Sequence, residues 1–115
     1  MMWRSSTTTD EGKKMVFNGM RAIHPGEVIR EDYLAPLQMS PTALAQALHV
    51  PVTRIHEIIK ERRSITAETA VRLGKLFSTS PELWMNLQAS YDLRKAQEAI
   101  GTVVDTEIVP LALEA

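Results

Sequence analysis

From about residue 21 to residue 100, apolar residues return every three or four positions, and proline or hydroxyl residues interrupt the returns at intervals. That spacing winds apolar side chains onto one face of an α-helix. The first such stretch, HPGEVIREDYLAPL, predicts a helix over roughly 26–35. Pro25 stands near its start, Ile29, Tyr33 and Leu37 supply the inward stripe, and Pro36 ends it. Ser40 and Pro41 form an N-cap followed by proline at the first helical position, so a second helix runs to about Leu48 with Leu44, Ala45 and Leu48 inward. His49 and Val50 make a break, and Pro51 opens a third helix that continues to about Glu61. Its buried face is Ile55, Ile58 and Ile59, with Val52 nearby. Thr66 caps a fourth helix over about 67–77, with Ala70, Leu73 and Phe77 inward. Ser80 and Pro81 repeat the start signal for a fifth, about 82–100, in which Trp84, Leu87 and Tyr91 recur as core and Gly101 is the stop.

The pattern is all-α, with five helices and short loops. Two flanks fall outside it. Residues 1–19 carry the polar tract Ser5 to Glu11, have little to bury, and read as a flexible N-terminal extension. Residues 102–115, TVVDTEIVPLALEA, read as a tail, either a strand or an adaptable arm. The folded unit is therefore 20–101.

Composition narrows the setting. There is no cysteine, so neither disulfides nor thiolate–zinc sites contribute, which fits a reducing cytoplasm. No apolar run approaches the ~18 residues of a membrane span, and the N-terminus lacks the apolar core of a signal peptide. The net charge of −1 argues mildly against nucleic acid, but its distribution matters more. Between Arg54 and Lys75, six cations face three anions, while the rest of the chain is acidic.

His56-Glu57-Ile58-Ile59-Lys60 stops one residue short of a zinc-protease motif. Such a site needs two histidines four apart on one helix face. Lys60 holds the second position, and a protonated amine repels zinc. No metal or other cofactor is expected. No nucleophile elbow or glycine-rich phosphate loop occurs, so an enzyme is not expected either.

The outer face of the third helix is the more informative feature. At 100° per residue, Thr53, Glu57 and Lys60 lie opposite Ile55, with Arg54, His56 and Glu61 flanking. A solvated face laced by i,i+3 ion pairs is the ordinary explanation. Three features favour a groove-reading face instead. A short helix precedes at helix-turn-helix spacing. The two helices share one apolar pattern. Arg62, Arg63, Ser64 and Thr66 follow where a docked helix would leave the groove and meet phosphates.

LAQALHVPVTRIHEII resembles the helix-turn-helix of the XRE (Cro-like) superfamily. More narrowly, HPGEVIREDYL (24–34), residues 44–77 and SPELWMNLQASYDL (80–93) together resemble the HigA-type, VapI-like antitoxin family. The resemblance implies a λ-repressor-like domain in the cytoplasm, a homodimer that represses its own operon at palindromic double-stranded operators, and neutralisation of a HigB-type, RelE-like mRNA-cleaving toxin. It also marks His49 as a departure, since glycine usually fills that turn position. A left-handed conformation there costs a non-glycine residue roughly 1 kcal/mol.

The candidate DNA-contacting residues follow. Thr53 and Glu57 face base edges, and Arg54 reads a guanine or clamps a phosphate. Lys60, Arg62, Arg63, Ser64 and Thr66 bind the backbone, as does Thr42 at the start of the second helix. Val52, in the first turn of the reading helix, joins this set. Glu57 is the weakest member, because a carboxylate near phosphates is costly unless paired. The fifth helix and tail are the expected dimer surface. The rival reading keeps the fold but assigns it to toxin capture with little DNA binding, through the N-terminal arm or the acidic Glu27, Glu31 and Asp32. A stand-alone repressor is the third reading.

Overall fold

The computed structural model describes residues 21–112, which form five helices and, among the described residues, no strand. The first, α1, covers 25–37 in three stretches: a regular turn Pro25–Val28, a π-helical turn Ile29–Leu34 and a closing turn Ala35–Leu37. Next come α2 (Pro41–Leu48), α3 (Val52–Ile59), α4 (Ala67–Phe77) and α5 (Pro81–Glu107).

The starts match the capping chemistry of the sequence. His24 caps α1, its Nδ1 accepting the Gly26 N–H at 2.8 Å. The hydroxyls of Ser40, Thr66 and Ser80 accept from the backbone N–H of Ala43, Thr69 and Leu83, and each satisfies a donor that the first helical turn leaves open.

Four expectations need correction. Pro36 does not end α1; the helix continues to Leu37 and stops at Gln38, which is left-handed at φ 53°. A proline ring in a regular helix collides with the carbonyl four residues back. Here that residue is Asp32, inside the widened π turn, which makes room for the ring. The same turn inserts a residue into the repeat. The buried pair is therefore Ile29 and Leu34, five apart, while Leu37 is 60% exposed. Second, α3 ends at Ile59 rather than Glu61, because Glu61 turns left-handed at φ 64°. Third, Val52 is exposed, since it stands in the first turn of α3, ahead of the core-packed Ile55. Fourth, Gly101 does not stop α5, and 102–107 of the expected tail are helical. No residue near Gly101 turns left-handed, and its helix already has five turns behind it to propagate from.

The core forms where the five helices converge. Trp84 is fully buried, with Leu44, Ala70 and Leu73 at the same depth and Ile29, Ile55 and Ile58 beside them. The Trp84 Nε1–H donates to the Thr79 hydroxyl at 2.8 Å, so its polar edge is satisfied. Tyr33 stacks on Phe77 and both lean on Trp84. Leu87 and Tyr91 are half-buried on the inner side of α5, as their spacing predicts. Beyond Tyr91 that helix leaves the globule, and Leu93, Ile100 and Val103 are all at least half exposed. No helix among the described residues is long and apolar enough to cross a membrane.

Candidate nucleic-acid interface

Two short helices and a tight turn build the site. At the end of α2, His49 adopts the left-handed conformation that the family resemblance implies, at φ 59° and ψ 46°. Its own N–H and that of Val50 return to the Gln46 and Ala45 carbonyls, which closes the helix and redirects the chain. Val50 packs against the core, and Pro51 precedes the first residue of α3 in extended conformation. Ile55 and Ile58 are each 1% exposed, so one side of α3 is fixed in the core.

That anchoring turns the opposite side outward. Thr53 and Lys60 are exposed, and Glu57 is partly exposed. Arg62, Arg63, Ser64 and Thr66 continue the exposed surface in the loop that follows, and Thr42 is exposed in the first turn of α2. Val52 joins the outer surface through its exposure. The sequence-derived residues thus lie together on α3, on the loop behind it and at the start of α2. The loop is held from below: Ile65 is buried, and its N–H donates at 2.7 Å to Gln88 Oε1 of α5. Gln88 in turn donates to Asp92 at 2.9 Å. Gln88 thus ties the loop to α5.

The charged members are not free rods. Arg54 lies 3.5 Å from Glu68 on α4, and Arg63 lies 3.6 Å from Glu57. The pairing removes the sequence's objection to Glu57, whose carboxylate has a cation beside it. Thr66 is committed as a cap, and its hydroxyl also lies 3.2 Å from that of Thr69. Arg54, Arg63, Ser64, Thr66, Glu68 and Thr69 line an open cleft of about 410 Å³ between α3 and α4.

Three residues that fix this geometry escaped the sequence reading. Arg30 of α1 donates to the Ile59 carbonyl at the end of α3 and pairs with Glu61 at 3.5 Å. Arg72 of α4 donates to the Leu48 carbonyl at the end of α2 at 2.9 Å. Each arginine satisfies a carbonyl that a helix C-terminus leaves open and places positive charge at the negative end of the dipole. Gly26 is the third. A Cβ there would lie 1.8 Å from the Ile58 carbonyl oxygen, so α1 meets α3 at a distance only glycine allows. All three partners lie 24 or more residues away in sequence, and no local signal marks such a contact.

The acidic patch of the rival reading is largely engaged. Glu27 forms a two-pronged pair with Arg21, and this hydrogen bond holds its carboxyl below the usual range. Glu31 pairs with Arg30 at 3.0 Å.

A two-helix unit propped on a helical core, with a polar face displayed and cations behind it, defines an all-α helix-turn-helix protein. No family model matches the chain. Relatives do. Virulence-associated protein I of Dichelobacter nodosus is 47% identical over 98 residues, covering 85% of this chain and 89% of that protein. A solved structure of Pseudomonas aeruginosa antitoxin HigA with the higBA promoter shares 46% identity and superposes with a TM-score of 0.78, covering 80% of this chain and all of that one. An addiction module antidote protein of the HigA family from Coxiella burnetii shares 43% identity with a TM-score of 0.77 over the same shares. The chain belongs to the HigA-type, VapI-like family of helix-turn-helix proteins.

Proposed function

We propose that this chain is a sequence-specific operator-binding repressor and the antitoxin of a HigBA-type pair. It acts as a homodimer and neutralises an mRNA-cleaving toxin in the cytoplasm. The observation that carries the DNA-binding reading is the display of α3: Ile55 and Ile58 sealed in the core, Thr53 and Lys60 outside, and the C-terminal ends of α2 and α3 held by α4 and α1. The solved Pseudomonas relative with its promoter supports it.

In this reading Thr53 and Glu57 face base edges, and Arg54 reads a guanine or a phosphate. Lys60, Arg62, Arg63, Ser64, Thr66 and Thr42 grip the backbone, with Val52 against the groove wall. Two-fold pairing through the protruding part of α5 supplies the second reading helix. Its exposed Leu93, Ile100 and Val103 are the apolar surface such a pairing would cover.

Titration of operator and random duplexes against salt tests the reading. The wild type binds both with a steep negative slope and prefers the operator. Arg63→Ala weakens both and flattens the slope by about 0.9 for the lost phosphate contact. An absence of binding at 50 mM salt, or an unchanged slope, overturns it. Adding the chain to the toxin encoded beside its gene suppresses mRNA cleavage.

A further inference from the structure

We propose that Glu68 is a specificity-determining residue: it holds Arg54 back from DNA until a cognate base replaces it. This deepens the DNA-binding reading and rests on it. Glu68 lies in the first turn of α4, across the cleft from α3. One carboxylate oxygen faces Arg54 at 3.5 Å. The other accepts from Arg72, at 3.3 Å from Nε and 3.1 Å from Nη2. Arg72 is itself tied to the Leu48 carbonyl. The carboxylate is therefore seated by a fork anchored in the helix-turn-helix, and Arg54 is the member able to leave. Of the reading-helix residues assigned to bases, Arg54 alone is held by another helix.

The consequence is a competition. Arg54 reaches any duplex only by leaving Glu68. On random DNA a single phosphate offers no more than the carboxylate it would replace, so Arg54 stays with Glu68 and adds no contact. On the operator it gains the two-pronged geometry that guanine offers to a guanidinium. Glu68 thus costs random binding more than operator binding.

Glu68→Gln keeps the size of the side chain and removes the charge. Its exposed setting, with a side chain 59% accessible, leaves the fold intact. Binding to random duplex tightens by up to about fivefold, the upper end for a released exposed ion pair. Its salt slope steepens by about 0.9 as Arg54 takes up one more phosphate. Operator affinity moves less, so the specificity ratio falls. In an Arg54→Ala background the same substitution changes neither the ratio nor the slope. Equal tightening on both duplexes, or an effect that persists without Arg54, overturns the proposal. If the wild type binds and Glu68→Gln is silent, the Glu68 role fails while the DNA reading stands. If the wild type binds no duplex, both fall.

Discussion

His24, Pro25 and Gly26 occupy one corner of the molecule, and each does something its neighbour cannot. The imidazole is 2% exposed, stands edge-on to Tyr91 and gives its Nδ1 lone pair to the Gly26 N–H. A proton on that nitrogen would set two donors against each other. Burial lowers the pKa of His24, while the carboxylates of Glu61 and Asp92 and a hydrogen bond with the Arg63 backbone pull the other way without reversing it. A histidine with a lowered folded pKa stabilises fully above its unfolded value of about 6.5, and the stability is lost as pH falls through the folded value. Urea unfolding should therefore show a falling midpoint between pH 7.5 and 5, above the titration of ordinary carboxylates. His24→Asn retains an acceptor for the cap and should flatten that window; an unchanged slope would remove His24 as its source. Gly26→Ala tests the neighbour. Its Cβ meets backbone rather than a pliable side chain, so α1 must move off α3. A loss of about 3 kcal/mol, at the upper end for overpacking, is expected in the same measurement.

At the scale of the element, how much was legible depended on whether the signal was local. The proline and hydroxyl caps of α2, α4 and α5 were readable because their chemistry lies within three residues. His49 was readable as the left-handed position through the family resemblance, in which glycine usually fills that turn. The register of α1 was not. Its π turn moves the inward face from Leu37 to Leu34, and only the three-dimensional demand of Pro36 and the core makes that shift visible. The outer face of α3 followed from periodicity, whereas its props, Arg30 and Arg72, are set by tertiary contact alone. Gly101 shows the opposite failure, a local stop signal overridden by a long helix. A Cβ at that site would touch nothing within 4 Å, and the backbone is helical. Gly101→Ala should therefore stabilise the segment by about 0.5–1 kcal/mol. Slower amide exchange over 97–105 would register it; faster exchange would show that 102–107 are not held as helix.

For the whole molecule, the long helix decides what one copy can do alone. At about 1.5 Å per residue, the 27 residues of α5 span roughly 40 Å, and only the part up to Tyr91 packs on the core. Leu93, Ile100 and Val103 recur seven and three residues apart at 60%, 53% and 50% exposure, a spacing that keeps them on one side of the helix. A palindrome presents its half-sites about one DNA turn apart, roughly 34 Å, and this is the separation the proposed pairing has to give the two reading helices. One module alone makes too few phosphate contacts to hold tightly at physiological salt. Leu93→Asp with Ile100→Asp places charge in the proposed seam without touching the core or the reading face. The doubly substituted protein should sediment as a monomer and keep its thermal unfolding cooperative. It should bind an isolated half-site as the wild type does and lose about 10²-fold or more on the full palindrome, because the second contact is no longer intramolecular. If it remains a dimer with undiminished operator affinity, the pairing surface lies elsewhere. If half-site and palindrome weaken together, the substitutions have reached α3, and the division of labour between the core-packed and protruding parts of α5 is wrong.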